Sequence, residues 1–518
     1  MIPASPLSIR ATRTGILRWA IPGGLGAIQA AVAYALVFFA LAAPPKQPGF
    51  RGIDNDTTSA GSLRRLDLYR QAVEWIPGLS PAARPHLTPT AYLWGLRAAL
   101  IVLALLQLVA LIAVLRSATA QTVPWWVWLV GPAATALVLL AYPPLSSDVF
   151  YYAISGHVAN AGFNPYLVVP GDFPSDPFLR FNDWWTIPSP YGPLWTSASR
   201  GVIAITGASP VRAVVAFKIT AALAALALGA VAYAVARRMT DDPARALGAL
   251  VLVAWAPALL IESAGTAHND AVMLLCALAG LWLLTRDRLG AIRGGLLLIA
   301  ASALIKYITL PLLGFAFLWR LRDREARWST LLDRWLADLA AVAALSVAVF
   351  APYWAGKRTI TSLITEPIRL FVNPLWLLPQ IAVVARWGEH AGDVVREQTR
   401  APAAWTAVGI VVLAGLWLLV RSVLLRRKTA GGCTVPTQPM VRLQAVAWGV
   451  AAAAIALLPV NAHAWYAIWA IGPVALAWAS TGFGDDGKAA PPRIRWWLVL
   501  YLVWLATDFI VYHTRAPN

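Results

Sequence analysis

Long apolar runs, broken by short charged or proline-rich segments, recur along the whole chain. A helix rises 1.5 Å per residue, so about 20 mostly apolar residues cross roughly 30 Å of hydrocarbon. On that criterion the pattern predicts thirteen spans, near 19–43, 91–115, 123–143, 210–236, 245–261, 270–285, 290–305, 307–319, 336–352, 403–420, 442–459, 464–480 and 496–512. The pair over 290–319 is one apolar run interrupted by Lys306 and Pro311, which suits two short helices that turn back inside the protein. The apolar stretch after Arg10, Arg13 and Arg18 is too long for a signal-peptide core and reads as a retained first span. The expected fold is an all-α polytopic membrane protein in a single domain, 1–518.

Composition supports the pattern and removes alternatives. Hydrophobic residues make up 59% of the 518 and charged residues 13%, against about 45–50% and 25% in soluble domains. The 26 Trp suit rings placed at a membrane interface. Cys276 and Cys433 form neither a metal pattern nor a disulfide framework. A net charge of +18 invites a nucleic-acid reading, but basic cytoplasmic loops facing anionic headgroups account for it without one.

The densest basic segments, Arg237–Arg238, Arg320–Arg327 and Arg426–Lys428, are assigned to the cytoplasm together with the N-terminus. This orientation leaves outside segments at 44–90, 144–209 and 353–402, with short outside turns near 262–269 and 460–463. The expected location is the plasma membrane, with the chemistry on the outer face.

The segment after the third span carries the most chemistry. It reads YPPLSSDVFYYAISGHVANAGFNPY and later DWWTIPSPYGPLW. Phe150, Tyr151, Tyr152, Ile154 and Val158 recur at helical spacing, which predicts an amphipathic helix on the membrane surface, capped by Ser147 with Asp148 in its first turn. An acidic residue there also complements the helix dipole, so Asp148 has a structural reading beside a functional one. Ser189-Pro190-Tyr191-Gly192-Pro193 is a stiff turn that opens a second surface helix at Leu194–Ile205. Aromatic faces suit sugars, and one carboxylate can activate a hydroxyl as general base.

These runs, with Glu262–Asp270 (ESAGTAHND), Leu304-Ile305-Lys306 and His463–Trp469 (HAWYAIW), resemble the polyprenol-phosphate-mannose-dependent α-1,6-mannosyltransferases of actinobacterial cell envelopes, the MptA/MptB type. That group falls in the GT-C class of membrane glycosyltransferases. The landmarks cover about residues 140–470. The resemblance implies a GT-C fold and an inverting transfer of mannose from polyprenyl-phosphate-mannose to a lipid-linked mannan. It also implies that Asp148 is the base. Two features depart from the class: two further spans precede the acidic loop, and Asp54-Asn55-Asp56 has the spacing of a D-x-D metal-nucleotide motif. An Asx-rich turn explains that triplet as well.

The remaining candidates are ionisable or aromatic groups near the expected outer bilayer edge. Glu262, His268, Asn269 and Asp270 are assigned to the acceptor sugar or the donor phosphate, with capping of the next helix by Asn269 or Asp270 as the structural alternative. Lys306 is the cation for the donor phosphate, or else a snorkelling lysine, and Arg212 and Lys218 are weaker choices. Tyr152, Tyr191, His463, Trp465 and Tyr466 are assigned to sugar or polyprenol contact, although Trp and Tyr at such depth also serve as interface anchors. No nucleotide loop is needed, and no metal ligands are assigned, although a divalent metal in place of the cation stays open. Arabinofuranosyl or glucosyl transfer, and a flippase for lipid-linked sugars, are the competing functions. A flippase is expected to show paired broken helices in matching halves, and the sequence offers a single break at Lys306–Pro311.

Overall fold

A computed structural model describes residues 6–42, 56–361, 382–428, 437–458, 464–480 and 495–513, apart from 77, 81–86, 145, 287 and 324–325. Helices account for the regular structure, and the described residues contain no strand beyond one isolated bridge. The principal helices are α1 (Pro6–Leu41), α2 (Asp56–Ala72), α3 (Pro89–Arg116), α4 (Val130–Leu139), α5 (Asp148–Asn160), α6 (Pro193–Thr206), α7 (Pro210–Met239) and α8 (Pro243–Ala254). They continue as α9 (Asp270–Leu284), α10 (Leu289–Ile305), α11 (Leu310–Phe317), α12 (Trp328–Phe350), α13 (Glu389–Lys428), α14 (Thr437–Leu457), α15 (Ile471–Ala479) and α16 (Trp496–His513).

Several starts are written into the sequence as a capping residue followed by proline. Thr88 caps α3 through Ala91 N, Ser209 caps α7 through Arg212 N, and Asp242 caps α8 through Ala244 N, each with Pro as the next residue. The side-chain oxygen takes up an orphan N–H, and the proline supplies a preset φ at a position that needs no donor.

The described residues contain six helices long and apolar enough to cross a membrane: Trp19–Leu41, Thr90–Arg116, Pro210–Met239, Trp328–Tyr353, Ala401–Arg427 and Thr437–Leu457. A seventh is a bent pair, Pro243–Ala254 with Pro257–Gly265, turned by 48° at Pro257. Of the other expected spans, five are apolar helices of 10–17 residues, namely Trp125–Leu139, Asp270–Leu284, Leu289–Ile305, Trp465–Ala479 and Trp496–Ala506. The run 307–319 holds α11, only 8 residues long. Each expected span therefore meets a helix, but about half are shorter than a full crossing. Of these, α9 packs largely against protein, so its length follows its neighbours and not the hydrocarbon, whereas most of α16 over Trp496–Ala506 is exposed or half-buried.

The long run over 290–319 breaks at Lys306, whose backbone is extended (φ −149°, ψ 118°) between α10 and a single 3₁₀ turn leading into α11. The Ser302 hydroxyl donates to Met273 O at 2.7 Å and pairs with the Thr309 hydroxyl at 2.9 Å, so the break is internally bonded.

One expectation is corrected. α5 is not a surface helix: all of its residues are buried except His157, which is partly so, and exposed Asn160. α6 packs across it so closely that a Cβ on Gly156 would lie 2.5 Å from Ser199 O. The apolar stripe made α5 look half-buried, but its polar residues are too small or too well packed to leave a wet face. Ser147 also does not cap it; the Asp148 N–H donates instead to Ser146 Oγ at 3.2 Å.

Candidate functional site

α4 ends at Leu139, and the chain then turns through two prolines into α5. Lys218, fully buried on α7, anchors that turn by donating to the Leu140 and Tyr142 carbonyls (3.0 and 2.5 Å) above the Tyr69 ring. A lysine so occupied is a brace for the turn, which ends its candidacy for a phosphate. Asp148 then opens α5 with a side chain only 12% exposed. Its Oδ1 accepts from Trp184 Nε1 at 3.3 Å, and its Oδ2 lies 3.5 Å from His268 Nε2.

Trp184 and its neighbour Asp183 were not singled out in the sequence, although they stand in the DWW run. Arg65 of α2 holds this loop from outside, donating to Phe181 O and to Asp183 Oδ2, both at 2.9 Å. Burial pushes the Asp183 carboxyl up, against the pull of Arg65.

The second wall comes from the bent helix. After Pro257 the chain tightens into a π turn over Ile261–Gly265, in which Thr266 N donates to Ile261 O and His268 N to Glu262 O. Ala267 has φ +65°, a strained value for a residue with a Cβ, costing about 1–2 kcal/mol. The turn places Glu262 and His268 side by side. Glu262 Oε2 lies 2.6 Å from His268 Nδ1 and accepts from the Thr266 hydroxyl at 2.8 Å. The His268 ring stacks on Trp465, with centroids 4.4 Å apart and planes at 21°. Glu262, Thr266 and His268 are all buried.

Asp270 begins α9 and is fully buried. Its Oδ1 receives Lys306 Nζ at 3.0 Å and Trp469 Nε1 at 2.5 Å. Lys306 sits 5.3 Å from both the Tyr466 and Trp469 rings, which stack on each other at 3.9 Å. It is therefore neither snorkelling nor a lone cation. The Asn269 side chain is fully buried, and neither it nor Asp270 Oδ2 has a hydrogen-bond partner among the described residues. Asn269 stands at the cap position of α9 without a side-chain cap bond, so capping does not explain it.

The rigid turn 189–193 closes a third side. Gly192 N donates to Ile305 O at 3.0 Å, and a Cβ on Gly192 would lie 2.0 Å from Leu304 O. Only glycine lets the turn dock on the end of α10, directly before Lys306. The Tyr166 hydroxyl donates to Tyr191 O at 2.7 Å and holds the turn from behind. Tyr191 packs edge-on against Tyr152, with centroids 4.8 Å apart, and the Tyr152 ring is further enclosed by Trp195 and Phe217. Burial and the nearby Asp148 raise both phenols well above their usual range. Tyr152 thus packs beneath the site with no face free for a sugar.

Asp148, Tyr152, Tyr191, Glu262, His268, Asn269, Asp270, Lys306, Trp465 and Tyr466 all fall in one connected cluster. His463, Asp54 and Asn55 lie outside the described residues, and Asp56 opens α2. Leu274, Ile308, Leu312 and Trp448 line a small apolar crevice beside Trp469, with room for about one water.

With this geometry in view, the comparisons with known proteins become specific. The family profile described as alpha-(1->6)-mannopyranosyltransferase, N-terminal domain, matches residues 57–322, just over half the chain and most of the site. The chain belongs to the MptA/MptB family. A probable alpha-(1->6)-mannopyranosyltransferase of Mycolicibacterium smegmatis is 26% identical over 389 residues, 67% of this chain and 64% of that protein. Alpha-(1->6)-mannopyranosyltransferase B of Corynebacterium glutamicum is 26% identical over 393 residues, 68% of this chain and 59% of its own. The chain thus spans less than two thirds of the length of these MptA/MptB relatives. Among solved structures, the archaeal oligosaccharyltransferase AglB of Archaeoglobus fulgidus, in complex with an inhibitory peptide and a dolichol-phosphate, aligns with a TM-score of 0.33. That alignment has 13% identity over 75% of this chain and 55% of the other.

Proposed function

We propose that this protein is a membrane glycosyltransferase of the GT-C class that moves mannose from polyprenyl-phosphate-mannose to a lipid-linked mannan. The new bond is α-1,6, and the reaction runs with inversion on the outer face of the plasma membrane. The observation that carries the reading is the placement of Asp148. It is an acidic side chain beside a buried polar cluster, hydrogen-bonded to Trp184, 3.5 Å from His268 and still partly open. Family membership supplies the class of reaction and the sugar.

The chemistry is a single displacement. An acceptor hydroxyl oxygen attacks the anomeric carbon from the face opposite the phosphate. As the new C–O bond forms, the hydroxyl proton passes to Asp148, and the bond from the anomeric carbon to the phosphate oxygen breaks with its electrons leaving on the phosphate. Lys306, 17% exposed and paired with Asp270, is the cation this reading assigns to that phosphate.

Asp148→Asn is the test. The change keeps size and most hydrogen bonding but removes the basic lone pair that takes the proton. General-base assistance contributes about 10²–10⁴-fold, and a loss of that size is expected in purified protein given polyprenyl-phosphate-mannose and a dimannoside acceptor. Thermal stability in detergent should hardly change, because Asn is also tolerated at a helix start. A folded Asp148→Asn variant with normal transfer removes Asp148 from the reaction.

A further inference from the structure

We infer that His268 is a doubly protonated bridge between Glu262 and Asp148, and that this pair acts as a positioning device that keeps Asp148 ionised and aimed. The inference rests on the reading of Asp148 as the base. It gives Glu262 and His268 a role other than sugar or phosphate contact.

The argument starts from the two ring nitrogens. Nδ1 faces Glu262 Oε2 at 2.6 Å, and Nε2 faces Asp148 Oδ2 at 3.5 Å. A neutral imidazole has one N–H and one lone pair. Satisfying Glu262 with Nδ1–H would then turn the Nε2 lone pair toward a carboxylate oxygen, which is repulsive in a buried site. Protonating both nitrogens gives Glu262 a charge-assisted hydrogen bond and turns the 3.5 Å approach to Asp148, where Nε2 makes no hydrogen bond, into an attractive ion pair. The longer 3.5 Å separation is of the kind that tightens once substrate is held. Burial works against a charged ring, but the hydrogen bond to Glu262 and the negative charges of Glu262 and Asp148 override it and push the His268 ring up to about 10. The Trp465 face at 4.4 Å is a further favourable neighbour for an imidazolium.

The rest of the surroundings fit this role. Glu262 is itself held by the Thr266 hydroxyl at 2.8 Å, so the far end of the bridge cannot swing. Trp184 holds Oδ1 by a hydrogen bond, and Oδ2 faces His268 Nε2 at 3.5 Å without one, so the ring acts on the Asp148 carboxylate as a facing charge. The ionisable groups facing Asp148 are His268, Asp183 with its partner Arg65, Tyr152 and Tyr191. Those facing His268 are Glu262 and Asp148. Asp183 disfavours a second negative charge there, whereas the Trp184 N–H at 3.3 Å, the neutral Tyr191 hydroxyl and a protonated His268 favour ionised Asp148, and of these three only His268 brings a full positive charge. Taking it away should raise the pH at which Asp148 becomes a carboxylate.

The experiment is the pH profile of transfer by full-length protein in detergent, using polyprenyl-phosphate-mannose and a dimannoside. Wild type, Glu262→Gln, His268→Gln and Asp148→Asn are compared. The acid limb of kcat should move to higher pH in Glu262→Gln and further in His268→Gln. At neutral pH His268→Gln should lose about tenfold to a hundredfold in kcat, with little change in acceptor KM and partial recovery at alkaline pH. A merely structural histidine would lower activity in parallel at every pH, and that result, like an unmoved acid limb, overturns the bridge. If His268→Gln does not fold, the nearly isosteric Glu262→Gln decides the matter by the same shift. Loss of the bridge leaves an inactive Asp148→Asn untouched, whereas an active Asp148→Asn overturns the assignment of the base itself.

Discussion

Two fully buried aspartates, Asp338 and Asp270, differ in how completely their carboxylates are bonded. Asp338 on α12 accepts from Arg293 Nε at 3.1 Å and from Arg320 Nε and Nη2 at 2.8 and 2.9 Å, using both carboxylate oxygens. Asp270 receives Lys306 and Trp469 on Oδ1 alone, and its Oδ2 has no partner among the described residues. Arg293 and Lys306 lie near opposite ends of the same helix region, some 13 residues and roughly 20 Å apart along α10. A carboxylate that is fully bonded has nothing left to offer a ligand, so Asp338 is a clasp for α10, α12 and the turn at Arg320. A carboxylate left half-bonded at depth is expensive unless something else uses the free oxygen. The same logic separates Lys218, buried and engaged by two carbonyls and the Tyr69 ring, from Lys306, which keeps part of its surface.

That contrast can be broken by mutation, and the largest effect belongs to the clasp. Asp338→Ala strands Arg320 in the interior and should lower stability by about 3–5 kcal/mol, read as a fall in Tm in detergent. Transfer per folded molecule should stay near wild type. A severe loss of rate with unchanged Tm would place Asp338 with the site instead.

Lys306→Met should reverse the balance. It leaves the buried Asp270 without its cation, held by the Trp469 N–H alone, and a loss of stability is expected. Adding Asp270→Asn removes the stranded charge, so stability should return while dependence on donor concentration stays impaired. Recovery of transfer along with stability would reduce the pair to a clasp like that of Asp338.

The smallest effect is expected from Asp54→Asn combined with Asp56→Asn, which should leave rate and Tm unchanged if the D-x-D spacing is accidental. A collapse of transfer there would move the catalytic carboxylate out of the segment that begins at Asp148.

Much of this molecule was legible one residue at a time. Hydropathy alone located every helix matched to an expected span, because lipid and protein interior both reward apolar residues locally. Thr-Pro, Ser-Pro and Asp-Pro marked the starts of α3, α7 and α8, since capping and φ restriction act within three residues. The residue types in ESAGTAHND, at Lys306 and in the 465–469 cluster were enough to nominate the site, since charge and polarity near the membrane need a reason.

What each nominee does was decided only by packing. Lys306 and Asp270 are 36 residues apart, Trp469 and Asp270 are 199 apart, and Arg65 reaches Asp183 across 118. No local pattern encodes such pairings. The burial of α5 was hidden for the same reason, because an apolar stripe says where one face goes but not what covers the other. Span length was hidden too: α9 and α10 are short because protein, not hydrocarbon, surrounds much of them. Sequence periodicity therefore determined which segments are helices and which residues are candidates. The tertiary structure determined their partners, because a hydrogen bond or ion pair depends on a few ångströms between segments that only folding brings together.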